Sequence, residues 1–127
     1  ENMPQSDHIP HNFTPNFIVY TGTHDNNTIR GWFRQAVDDE MKARIEHYIS
    51  ASVDEENFYV AMARMAYSSV AKAAILPMQD VLNLDESTKM NSPGSSENNW
   101  AWRLAPGQVT KDAEKFLADL TVLFNRD

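Results

Sequence analysis

With 127 residues, 42% of them hydrophobic and 23% charged, the chain has the length and composition of one compact domain. A net charge of −7 without any basic stripe excludes the usual nucleic-acid binder, because phosphate contacts need Lys and Arg. The absence of Cys excludes a disulfide framework and a thiolate metal site, and no apolar run approaches the roughly 20 residues that span a bilayer. A neutral or polar ligand is easier to reconcile with this charge. The start, Glu1-Asn2-Met3-Pro4, lacks an initiator Met and the features of a signal peptide, so a truncated or excised chain is the expectation.

Residues 1–16 are polar and contain Pro4, Pro10 and Pro15, which predicts an extended loop. Asn16-Phe17-Ile18-Val19-Tyr20 is short, β-branched and aromatic, and predicts a buried strand over 17–20. It runs into the polar segment Thr21-Gly22-Thr23-His24-Asp25-Asn26-Asn27. Helices are predicted over 28–69, in three pieces. The first, from Thr28 to Val37, has Asn26 or Asn27 as cap and Ile29, Trp32, Phe33 and Ala36 on one face. The second, from Asp38 to Ile49, carries an apolar stripe of Met41, Ile45, Tyr48 and Ile49. The third, capped by Asp54, repeats apolar residues at Phe58, Ala61, Met62, Met65 and Ala66.

Ala73-Ala74-Ile75-Leu76-Pro77 predicts a second buried strand over 74–77, stopped by proline. Residues 85–99 are rich in Asp, Glu, Ser, Asn, Pro and Gly and predict a long loop, a kind of segment that is often functional. The clearest helix is 111–125, with Thr110 as cap and Ala113, Phe116, Leu117, Leu120, Leu123 and Phe124 on its apolar face. Strand, helices, strand, helix is the order of a β-α-β-α piece of a parallel sheet. Two strands alone do not close a sheet. Such a chain is therefore expected to belong to a larger α/β protein or to pair with other chains.

Two stretches offer chemistry. Thr23-His24-Asp25 sets an imidazole beside a carboxylate at the C-terminal end of a predicted strand, the edge where parallel α/β folds gather ligands. Its structural alternative is an Asx-turn or helix cap made by Asp25 or Asn26. Met90-Asn91-Ser92-Pro93-Gly94 and Asn98-Asn99-Trp100-Ala101-Trp102-Arg103 mix aromatic, amide and guanidinium groups. That mixture suits sugars, which have apolar faces and hydroxyls for hydrogen bonds. The structural alternative is that both Trp anchor the loop to the core. A metal site built from His8, His11, His24 and Asp25 matches no compact zinc spacing, and no metal is expected.

Four collinear motifs resemble the 4-α-glucanotransferases (amylomaltases, or disproportionating enzymes) of glycoside hydrolase family 77. They are Pro10-His11-Asn12-Phe13 with Val19-Tyr20-Thr21-Gly22-Thr23-His24-Asp25-Asn26, then Arg64-Met65-Ala66-Tyr67-Ser68-Ser69. Next comes Ala74-Ile75-Leu76-Pro77-Met78-Gln79-Asp80-Val81-Leu82, and last Met90-Asn91-Ser92-Pro93-Gly94 with Asn99-Trp100-Ala101-Trp102-Arg103. The Thr-Gly-Thr-His-Asp-Asn run is the most diagnostic, and the region between Arg34 and Asn57 is not diagnostic.

The resemblance implies the C-terminal β-α-β-α portion of a (β/α)8 TIM barrel of the α-amylase superfamily. The chain would be mostly helical with two parallel strands, a single C-terminal segment of the catalytic barrel. It implies transfer of α-1,4-glucan segments between maltooligosaccharides with retention of configuration, without a cofactor, in the cytoplasm. Of three catalytic carboxylates, Asp25 matches the transition-state stabiliser. His24, Thr23, Asn91 and Pro93 match substrate-binding positions, and the nucleophile and acid/base have no counterpart here. The isolated chain is expected to be inactive, and to self-associate or be only marginally stable. The alternative is a non-catalytic glucan-binding module derived from the family. The chain departs from the family pattern in three places: Asn27 where Asp is common, Leu84-Asp85 in place of a usual Gly, and Lys89 where Arg precedes Met-Asn. Lys keeps the charge of that Arg but not its planar fork.

Overall fold

The computed structural model describes residues 4–127; Glu1, Asn2 and Met3, the start of the expected 1–16 loop, lie outside the described residues. Two parallel strands, β1 (Ile18–Tyr20) and β2 (Ala73–Ile75), pair in the register Ile18 to Ala73, Val19 to Ala74 and Tyr20 to Ile75. Between them run α1 (Ile29–Ala36), α2 (Asp39–Ile49) and α3 (Phe58–Ser68). A short α4 (Met78–Val81) and a terminal α5 (Lys111–Leu123) follow. Single 3-10 turns occupy Pro10–Asn12 and Glu86–Thr88, inside the two stretches expected to be loops.

Local chemistry sets these bounds. The second strand begins at Ala73, not Ala74, and stops at Ile75, because Leu76-Pro77 turns away. Pro77 has no N–H for a ladder, and its carbonyl instead accepts from Asp80 and Val81 to start α4. The cap of α1 is Thr28, not Asn26 or Asn27. The Thr28 hydroxyl accepts from the Gly31 N–H at 3.1 Å, which satisfies an orphan donor of the first turn. Asp54 acts one turn ahead of α3 by accepting from the Glu56 and Asn57 amides, each at 2.9 Å. Thr110 caps α5 by accepting from Ala113.

The core forms where α1 meets α3. Ile29, Val53 and Phe58 are buried, with Phe33, Ile45, Ile49 and Met62 packed against them. Farther along α3, Tyr59 packs on Phe116 of α5 at 5.4 Å between ring centroids. Arg126 then donates to the carbonyls of Tyr67, Ser69 and Ala71, closing the end of α3. The expectation that both strands are buried is corrected: Ile18, Tyr20 and Ile75 are each more than half exposed. Among the described residues the sheet has only these two strands, so each has a free edge. Four residues assigned to apolar faces are also exposed: Trp32, Ala36, Tyr48 and Leu123. Leu123 is 59% exposed, and Tyr48 is half exposed with its hydroxyl 2.9 Å from Nδ1 of His11.

Gly31 permits a close crossing. A Cβ there would stand 2.4 Å from Oδ1 of Asn27 and 2.9 Å from Cβ of Glu86, so the Glu86–Thr88 turn can lie on α1 only where a side chain is missing. Gly31→Ala gains helix propensity but overpacks this contact, and the second effect wins. Thermal or urea unfolding should show a net loss of about 1–2 kcal/mol, as overpacked sites do. A neutral or stabilising result would mean that the turn shifts without cost.

Candidate active site

Parallel pairing puts the C-terminal ends of β1 and β2 at one edge, so the segments that follow them can meet. The first is Thr21 to Thr28. Within it Oδ1 of Asn26 accepts from both the Thr23 N–H (2.8 Å) and the Thr23 hydroxyl (3.0 Å), and Asn26 N–H donates back to the Thr23 carbonyl. This closed turn runs backward from Asn26 to Thr23, so it is neither the Asx-turn nor the helix cap open as alternatives for Asp25 or Asn26; the cap of α1 is Thr28. Asp25 is free of capping: among the described residues the Asp25 carboxylate accepts from no backbone amide.

The second segment, following α4, meets the first at two points. Nδ2 of Asn91 donates to Oδ1 of Asp25 at 2.6 Å, and the Asn91 N–H donates to the His24 carbonyl at 3.1 Å. Nε2 of His24 lies 3.3 Å from Oδ2 of Asp25, and the two side chains are 55% and 49% exposed. Each carboxylate oxygen has two lone pairs, so Asp25 keeps acceptor capacity toward solvent after these contacts.

Trp100 completes the group. Its ring stands 5.1 Å from the His24 ring and is half exposed, so it does not anchor the loop in the core; Trp102 is the more covered of the pair. Trp100 adopts a left-handed backbone at φ 62°, a conformation uncommon for a bulky residue. The chain is tied there by the Trp100 N–H donating to the Met90 carbonyl and by Arg103 donating to the Trp100 carbonyl.

Of the residues singled out from sequence, the structure gathers His24, Asp25 and Asn91. The Thr23 hydroxyl is turned into its own turn, and Pro93 is an exposed loop residue outside this hydrogen-bond group. His11 is engaged with Tyr48 and the Pro4 carbonyl, and among the described residues no three acidic or His side chains gather as a metal site would require.

A small pocket of about 170 Å³ opens beside the group, lined by His24, Asn27, Gln79, Asp80, Lys89 and Met90 among others. Lys89 thus reaches the pocket wall. Asp85, one of the departures from the family pattern, organises the Glu86–Thr88 turn. Its carboxylate accepts from the Ser87 amide and hydroxyl, and these bonds hold its pKa below the ordinary carboxylate value. Asp80 lies within the Ala74 to Leu82 motif but is assigned no role from sequence, and Trp100 reads only as part of the sugar-suited stretch from Asn98 to Arg103.

The family model described as 4-alpha-glucanotransferase matches residues 1–110. The 4-alpha-glucanotransferase of Streptococcus pneumoniae is 42% identical over 117 residues, covering 92% of this chain and 23% of that protein. The chloroplastic/amyloplastic 4-alpha-glucanotransferase of Solanum tuberosum is 42% identical over 126 residues, 96% of this chain and 21% of its own length. The structure of amylomaltase from Streptococcus agalactiae in complex with acarbose superposes with a TM-score of 0.89 at 36% identity, over 97% of this chain and 24% of that one. The chain therefore spans about a quarter of the length of the relatives it matches. Its fold is a piece of a (β/α)8 barrel, mostly helical with two parallel strands. By sequence and by backbone, the chain belongs to the 4-alpha-glucanotransferase family, glycoside hydrolase family 77.

Proposed function

We propose that the chain supplies one wall of the active site of a retaining 4-α-glucanotransferase that acts on α-1,4-glucans and maltooligosaccharides. The observation that carries this reading is the Asp25 carboxylate, half exposed, oriented by Asn91 at 2.6 Å and flanked by His24 and Trp100. A retaining enzyme needs a nucleophile and an acid/base about 5–5.5 Å apart, and its transition state has oxocarbenium character. In this reading those two groups come from outside residues 1–127. Asp25 accepts from hydroxyls of the sugar whose glycosidic bond breaks. The amide of Asn91 fixes the carboxylate, so it does not reorient as charge develops on the sugar. His24 donates to a hydroxyl of the same sugar, and the exposed ring of Trp100 offers an apolar face to a pyranose. Thr23 contributes through the turn it closes, and Pro93 shapes the loop beyond Asn91. The acarbose bound in the Streptococcus agalactiae relative supports an oligosaccharide as the ligand class.

A cytoplasmic location is part of the same proposal. Among the described residues no helix is long and apolar enough to cross a membrane, while the potato relative is named as chloroplastic/amyloplastic.

The test compares two samples on maltotriose. The whole protein carrying this segment should produce glucose together with longer maltooligosaccharides, and the isolated 127-residue chain should produce neither. Release of glucose by a pure sample of the isolated chain would overturn the division of the active site. A whole protein that binds maltooligosaccharides without transfer would support a glucan-binding module instead.

A further inference from the structure

We infer that Asp80 is a positioning residue: a buried carboxylate that clips both ends of the β1–α1 connection and thereby sets where His24 and Asp25 stand. It sits on α4, at only 4% exposure. Its Oδ2 accepts from the Thr21 hydroxyl at 2.7 Å, just after β1. Its Oδ1 accepts from the Ile29 N–H at 2.8 Å, the first residue of α1. The seven residues between those two anchors, 22–28, include His24 and Asp25. One side chain from a different element therefore fixes the span and the exit angle of the whole loop.

Stability alone does not ask for a carboxylate here. The cap of α1 already comes from Thr28, and among the described residues no ion pair involves Asp80. An uncompensated buried charge is costly, and burial does push the Asp80 pKa up, partly offset by the two hydrogen bonds. What the charge adds is two strong, directional bonds to groups eight residues apart in sequence. The neighbouring residue holds the other loop: Nε2 of Gln79 donates to the Thr88 carbonyl at 3.2 Å, just ahead of Lys89-Met90-Asn91. Adjacent residues of α4 thus hold the two segments that meet at Asn91 and Asp25. A small error in that meeting displaces the carboxylate, and misplacement by about 1 Å can cost on the order of 10²-fold in rate.

The kinetic consequence rests on the transferase reading above; the clip itself rests on geometry alone. In the whole glucanotransferase carrying this segment, Asp80→Ala should lower kcat on maltotriose by about 10- to 100-fold with KM changed by no more than about threefold. Asp80→Asn keeps an acceptor for Ile29 and an amide that the Thr21 hydroxyl can accept from, but loses the charge that strengthens both bonds, so it should recover part of the activity. Thr21→Val, which removes only one of the two bonds, should fall between. If Asp80→Ala lowers only the melting temperature and leaves kcat unchanged, the positioning role is overturned.

Hydrogen exchange at the Ile29 amide is the second readout. It should accelerate in Asp80→Ala and not in Asp80→Asn, and unchanged protection in both would overturn the clip whatever the activity. A parent protein that transfers no glucan would remove the transferase reading alone, since Ile29 exchange still decides the clip.

Discussion

On the transition-state role proposed for Asp25, Asp25→Asn in the whole protein carrying this segment should lower kcat on maltotriose by about 10²-fold or more, a loss of about 2.7 kcal/mol of transition-state stabilisation, while KM moves little. The substitution preserves shape and removes charge. The new side chain can still offer its one oxygen to Asn91, because the Asn91 amide is the donor in that 2.6 Å bond. Its NH2 would then face His24 and the sugar. Sugar hydroxyls donate or accept with equal ease, so ground-state binding survives. What is lost is the interaction that strengthens as the sugar becomes cationic, and such a loss appears in kcat rather than in KM. Initial rates on maltotriose across a range of concentrations separate the two parameters. A near-normal kcat would reduce Asp25 to a structural anchor for Asn91 and its loop.

The chemistry of that site was readable in sequence to different depths. His24 and Asp25 announce themselves by following an apolar run, and parallel sheets gather function at such ends. Their partner Asn91 is 66 residues away from Asp25, and no local pattern links them. It reads as part of a separate stretch suited to sugars, and no residue pattern pairs it with Asp25. Asp80 was harder still: an acidic residue after a proline reads as a surface turn, and only the fold reveals that it is buried against Thr21 and Ile29.

The strands show the opposite failure. Phe17-Ile18-Val19-Tyr20 has the composition of a buried strand, yet Ile18 and Tyr20 are exposed in this chain. Composition records what a segment is suited to pack against, not whether the packing partner lies within the same residues. Leu123 in α5 illustrates the same point, since helical periodicity places it on the apolar face while it stands 59% exposed. Where the partner does lie within the chain, as for Ala113 and Leu120, periodicity and burial agree.

Phe58→Ala should cost about 3–5 kcal/mol, a large share of the 5–15 kcal/mol that ordinarily separates folded from unfolded protein. Phe58 is 1% exposed, the most deeply buried large side chain among the described residues. Its ring stacks with Trp32 at 5.9 Å and tilts against Phe33 at 4.8 Å, so one side chain of α3 holds two from α1. Truncation leaves a cavity between the helices that neither rigid ring can fill without leaving its rotamer. The natural control is Val122→Ala. Val122 is 72% exposed on α5, and its truncation should change stability by less than about 0.5 kcal/mol. Urea unfolding followed by far-ultraviolet circular dichroism gives both values on one scale. Equal midpoints for the two variants would mean that the α1–α3 contact is not the core. The effect should also reach the site, because α1 begins at Ile29, the residue bound by Asp80. A loosened α1 pulls on the same clip that positions His24 and Asp25. Below its melting temperature, Phe58→Ala should therefore lose part of its kcat, and hydrogen exchange at Ile29 should accelerate with it.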